Sequence, residues 1–104
     1  MTQPLAGKQI LIVEDEPVFR SLLHGWLTSL GATTFQAEDG KDALHKMTEV
    51  HPDLMICDIS MPRMNGLELV ETLRNRGEQL PILMISATEN MADIAKALRL
   101  GVQD

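Results

Sequence analysis

Gln9-Ile10-Leu11-Ile12-Val13-Glu14-Asp15-Glu16 begins with an unbroken apolar run and ends on three acids. A strand with one wet face would alternate polar and apolar residues. A continuous run rich in β-branched side chains is the pattern of a parallel strand covered on both faces. On that reading the acids fall at the strand's carboxyl end. Three more short runs of this kind follow, at Thr33–Ala37, Leu54–Asp58 and 82–86. The last two are nearly continuous in apolar residues. The first, Thr-Thr-Phe-Gln-Ala, is more polar and is expected at a sheet edge.

Between these runs the apolar period lengthens to three or four residues. Residues 17–30 place Val18, Leu22 and Trp26 at i, i+4 and i+8, with Phe19, Leu23 and Leu27 beside them. Gly31 stands where a helix C-cap belongs. A second helix is expected over 40–50, with Ala43, Leu44 and Met47, and a third over 65–74, with Leu69, Val70 and Leu73. A fourth is expected over 89–100, with Met91, Ile94, Ala95 and Leu98, capped by Thr88 or Asn90. The apolar stripes are read as core. The order βαβαβαβα winds, through right-handed crossovers, into an α/β doubly wound parallel sheet.

A chain of 104 residues has room for one domain, and 44% hydrophobic content is enough for one core. No apolar run approaches the roughly 18 residues that span a bilayer. No charged segment precedes an apolar stretch as in a secretory signal, so a soluble, cytoplasmic protein with no membrane partner is expected. Cys57 is the single cysteine, which excludes an internal disulfide and a paired-cysteine zinc site. Its apolar neighbours make it a packing residue. The net charge of −6 argues against direct nucleic-acid binding, which needs clustered Lys and Arg.

In an open parallel sheet, ligands bind beyond the carboxyl ends of the strands. Here the first strand leads into Glu14, Asp15 and Glu16, the third ends on Asp58, and the fourth leads through Ser86 into Ala87 and Thr88. If the first and third strands are neighbours, Glu14, Asp15 and Asp58 converge, and a cation would relieve their repulsion. The hard oxygen set suits Mg2+ or Mn2+ rather than zinc. His24, His45 and His51 form no ligand cluster, and no glycine-rich nucleotide loop is present. Asp58 can then act as a nucleophile towards phosphorus, forming an acyl phosphate beside the metal. Ser86 offers a hydroxyl to one phosphoryl oxygen. Each residue also has a plainer role: Asp15 as N-cap before Pro17, Asp58 opening a turn, Ser86 capping the next helix. Their coincidence at one edge of the sheet favours a shared site.

The strings ILIVEDE (10–16), PDLMICDISMPRMNGLELV (52–70) and LPILMISAT (80–88) resemble, in order and spacing, the receiver domains of two-component response regulators. The resemblance covers almost the whole chain and implies a flavodoxin-like receiver fold over residues 1–104. It implies Asp58 as phosphoacceptor, and Mg2+ held by Asp15, Asp58, the Ser60 carbonyl and, through water, Glu14. It further implies Ser86 as the hydroxyl that moves to the phosphoryl group, Ala87 as the small residue that leaves room, and a histidine kinase or small phosphodonor as partner. The domain would be a phosphoacceptor rather than an enzyme, apart from slow phosphorylation by small donors and slow self-dephosphorylation.

Two departures are evident. The acidic pair is Glu-Asp rather than Asp-Asp, and the sequence ends before a fifth strand and last helix, where receivers carry a phosphoryl-pairing lysine and an aromatic switch. A receiver incomplete at its C-terminus is therefore expected. The N-terminal segment and SATENMADIAKALRLGV (86–102) further resemble receivers of adaptors that deliver the stationary-phase sigma factor to a ClpXP-type protease. Partners would then read the fourth helix, with Met91, Lys96 and Arg99 as the expected contact face. Two alternatives stand: a pseudo-receiver that binds partners without phosphorylation, and an aspartate-nucleophile phosphatase. The phosphatase needs a second acid two positions after the nucleophile, where this chain has Ser60.

Overall fold

The computed structural model describes residues 3–59, 61 and 64–85. They form four strands, β1 (Gln9–Val13), β2 (Thr33–Ala37), β3 (Leu54–Asp58) and β4 (Ile82–Ile85), in one parallel sheet of order β2-β1-β3-β4. Three helices lie between them: α1 (Pro17–Ser29), α2 (Gly40–Lys46) and α3 (Gly66–Asn75). β1 pairs with β2 on one side, Val13 opposite Ala37, and with β3 on the other, Val13 opposite Cys57. The more polar β2 takes the edge, as its composition implies.

Successive side chains of a strand point to opposite faces, so each apolar run feeds two cores. Leu11, Val13, Met55, Cys57, Ile82 and Met84 pack on one face against Ala43 of α2 and Leu69, Val70 and Leu73 of α3. Ile10, Ile12 and Ile56 pack on the other face against Leu27 and Leu23 of α1. The unbroken hydrophobicity of β1 is thus two alternating patterns superposed.

Local signals set the helix ends. At α1, Glu16 is the N-cap: its carboxylate accepts the Phe19 N–H at 2.8 Å, and Pro17 fills the first turn, where a missing N–H costs nothing. Leu30 caps the other end, and Gly31 follows at φ 100°, a conformation that favours glycine. At α3, Asn65 and Glu68 form a reciprocal capping box, so residue 65 is the cap rather than the first helical residue. α2 stops at Lys46 rather than running to residue 50. The Thr48 hydroxyl donates to the His45 carbonyl at 2.6 Å, and His51 precedes Pro52, which disfavours helical backbone at that point. The expected fourth helix lies outside the described residues.

The stripe on α1 departs from expectation. Val18, Leu22 and Trp26 are 66%, 64% and 59% exposed, and Phe19 is exposed as well. Leu27 is buried and Leu23 packs beside it, so the line of contact with the sheet runs through 23 and 27. Leu22 and Trp26 lie one residue, about 100° of helical rotation, away from that line. Among the described residues α1 is the only helix on its face of the sheet, whereas α2 and α3 share the other and contact one another. With no lateral neighbour among the described residues, α1 buries only the side chains aimed at the sheet.

Truncating the two kinds of position should separate them. In this chain Leu27→Ala is expected to cost about 2–5 kcal/mol of stability, and Leu22→Ala no more than about 0.5 kcal/mol. Urea midpoints would measure both. Trp26 fluorescence should be freely quenched by acrylamide in the folded chain, and a quench-resistant Trp26 would contradict this placement.

Candidate functional site

Because Val13 stands opposite Cys57, the residues that follow them, Glu14 and Asp58, emerge at the same end of adjacent strands. Glu14 stays attached to the sheet through its N–H, which donates to the Ala37 carbonyl at 3.0 Å. Asp15 is next in the chain. One carboxylate oxygen from each of Glu14, Asp15 and Asp58 lies within 4.8 Å of the others. Glu14 is 3% exposed and Asp58 7%, whereas Asp15 is more open to water. The structure therefore brings together the three acids that the sequence nominated.

The capping of α1 settles one alternative. Asp15 is not the N-cap, because Glu16 takes that position, and Asp15 is left beside the other two acids. Two contacts hold the turn that presents them. The Glu14 carboxylate accepts the Glu16 N–H at 3.1 Å, and the Arg20 guanidinium donates to the Glu14 carbonyl at 2.8 Å. Sequence reasoning missed Arg20, whose spacing of six residues from Glu14 matches no simple helical pairing rule.

Electrostatics follow from this crowding. The Glu14 carboxyl is raised from 4.5 to about 7 in all, chiefly by burial. The hydrogen bond from Glu16 pulls it down, while hydrogen bonding with Asp15 and the charge and hydrogen bonding of Asp58 push it up as well. Cys57, wholly buried under the same cluster, has its thiol pushed far up by burial and then by the charges of Asp58 and Glu14, so it stays protonated. This agrees with a packing role.

The donor set fits a small divalent cation. Oxygens at about 2.0–2.1 Å from an octahedral Mg2+ stand about 3 Å apart when adjacent and about 4 Å when opposite. A triad spread over 4.8 Å reaches such an ion with a small contraction or with one water bridging the outermost carboxylate. Among the described residues the histidines do not join it. His24 Nδ1 meets the Thr34 hydroxyl at 2.5 Å, and His45 pairs with Glu49 at 3.2 Å. β4 places Ile85 opposite Asp58. The next residues, Ser86 and Ala87, lie outside the described residues, as do Ser60, Met91, Lys96 and Arg99.

Comparison with known proteins agrees with this geometry. A family model described as the response regulator receiver domain matches residues 10–104. Regulator of RpoS from Escherichia coli K12 is 74% identical over 104 residues, which is all of this chain and 31% of that protein. This chain thus spans about a third of that relative's length. Among solved structures, a response regulator receiver protein from Pseudomonas putida superposes with a TM-score of 0.88 at 28% identity, over 93% of this chain and 82% of its own. The response regulator TrrA from Thermotoga maritima, solved in complex with Mg2+-BeF, gives a TM-score of 0.81 at 32% identity, over 93% and 86%.

The raised Glu14 carboxyl has a definite signature in stability. The folded state binds this proton more tightly than the unfolded chain, so its contribution is fully present below about pH 4.5 and is lost as pH rises through about 7. At about 1.36 kcal/mol per unit of pKa, the loss is of the order of 3 kcal/mol. In metal-free buffer the chain should weaken between pH 4.5 and 8 relative to Glu14→Gln, as read by urea titrations of both. Parallel profiles for the two proteins would remove Glu14 from the buried cluster.

Proposed function

Since the chain belongs to the response regulator receiver family, we propose that Asp58 is its phosphoacceptor and that phosphorylation there switches a protein-interaction surface. Support comes first from one observation: the carboxylates of Glu14, Asp15 and Asp58 converge at the carboxyl ends of β1 and β3. Such a cluster has no evident structural benefit unless a cation sits in it. Asp15, Asp58 and the Ser60 carbonyl are the proposed direct ligands of Mg2+, and Glu14 acts through water. When bound, the ion neutralises charge on the transferred phosphoryl oxygens. The complex of TrrA with Mg2+-BeF supports the metal.

In the proposed reaction, a carboxylate oxygen of Asp58 attacks the phosphorus of a histidine kinase's phosphohistidine or of a small phosphodonor. The new O–P bond forms as the bond to the donor breaks, and the donor leaves with its electron pair. Asp58 must be ionised to attack. The hydroxyl of Ser86 then takes a phosphoryl oxygen, with Ala87 leaving room, and the face carrying Met91, Lys96 and Arg99 changes shape for a partner.

For the partner, the likeness to Regulator of RpoS supports a stationary-phase sigma factor. The proposed output is delivery of that factor to a ClpXP-type protease. The net charge of −6 favours a protein partner over DNA. A pseudo-receiver reading has no observation in its favour that the acidic cluster does not oppose.

Incubating the full-length protein with acetyl phosphate and Mg2+ and then weighing it should show one phosphoryl adduct. The adduct should be absent in Asp58→Asn and slowed at least tenfold in Asp15→Asn. Failure of the parent to gain mass would favour the pseudo-receiver, and turnover of many phosphate esters per protein would favour a phosphatase.

A further inference from the structure

We propose that Gly40 is a positioning residue for the phosphoacceptor, acting on Asp58 through Met64 and Gly66. The inference rests on the reading of Asp58 given above. Gly40 opens α2, on a different element from every acid of the site, and its N–H donates to the Met64 carbonyl at 3.1 Å. The two residues are also in close packing. A Cβ on Gly40 would stand 2.5 Å from Met64 Cγ, 2.7 Å from its Cβ and 2.8 Å from its carbonyl oxygen, so no side chain fits unless Met64 moves.

Met64 has little freedom to move without consequence. Asn65, next in the chain, is the N-cap of α3 in a two-way capping box with Glu68. Gly66 follows, with its N–H donating to the Ile59 carbonyl at 2.9 Å. The Cα of Gly66 sits directly on the main chain of Asp58, where an added Cβ would overlap the Asp58 carbonyl oxygen and crowd Met84 Cε at 2.9 Å. A shift of Met64 is therefore passed through two bonded residues to the backbone of Asp58. Gly40 is itself fixed: it is buried, and it follows Asp39, whose buried carboxylate caps α2 by accepting the Asp42 N–H at 2.8 Å. The relay joins a rigid turn after β2 to the residue that accepts the phosphoryl group. A catalytic carboxylate displaced by even about 1 Å can lose about a hundredfold in rate.

The test compares Gly40→Ala with Ile10→Val, a core change at the far end of β1, in the full-length protein, at temperatures set equally far below each thermal midpoint. Two quantities are read: the Mg2+ dissociation constant by calorimetry and the rate of adduct formation with acetyl phosphate by mass. Gly40→Ala is expected to slow the adduct at least tenfold and to weaken Mg2+ at least threefold, with Ile10→Val within twofold of the parent in both. Gly40→Ala/Met64→Gly, which removes the Cβ and Cγ in the way and leaves only the carbonyl oxygen at 2.8 Å, should recover part of the rate. Should Gly40→Ala not fold, Met64→Ala reads the same contact from the other side, with an expected slowing of at least threefold. A normal rate and normal Mg2+ affinity in folded Gly40→Ala, or in Met64→Ala in its place, overturns the proposal alone. A parent that takes neither Mg2+ nor a phosphoryl group overturns the reading of the site and this inference with it.

Discussion

Two nearly buried carboxylates, Glu14 and Asp58, held side by side at the ends of neighbouring parallel strands with Asp15 next to them, are the constraint on which this protein turns. Like charges in a low-dielectric place repel strongly, and burial alone already disfavours ionisation. The chain meets that cost with rigid backbone. β1 is hydrogen-bonded on both sides, the Glu14 N–H remains tied to β2, and Arg20 and the Glu16 N–H brace the turn beyond. A softer edge strand would let the acids splay apart. The central strand cannot.

The same constraint explains how the two faces of the sheet divide their work. One face, under α2 and α3, carries the larger core and the glycine contacts that bring α2 and α3 close to the segment after Asp58. The other carries α1, whose first turn is capped by Glu16 and so releases Asp15 to the site. Capping and site formation are thus one local event. Had Asp15 served as cap, the cluster would have lost its most solvent-accessible member, the one best placed to meet an incoming cation.

The α1 stripe shows why periodicity alone misplaces residues. Leu22 and Leu23 are equally apolar and adjacent, yet one faces water and the other the sheet. A stripe wide enough to include Val18, Phe19, Leu22, Leu23, Trp26 and Leu27 spans more of the helix than a sheet can cover. Sequence tells that such a helix is amphipathic but not which edge of the stripe finds a partner. The early end of α2 has a similar origin, because Ala43, Leu44 and Met47 continue a helical period that Thr48 and the approach to Pro52 interrupt.

By itself the sequence determined the order of the described strands and helices, the edge position of β2 and the three acids that converge. Each follows from a local rule: unbroken apolar runs for two-sided burial, threonine and glutamine for an edge, acids at the carboxyl end of a strand. Tertiary structure alone decided that Glu16 rather than Asp15 caps α1, that Arg20 reaches back to Glu14, and that Gly40 and Gly66 close on Met64 and Asp58. These depend on how the turns after β1 and β3 fold back, on the approach of α2 to the segment after Asp58, or on a choice among adjacent acids. The chain order carries no record of such contacts until β1 is paired with β3.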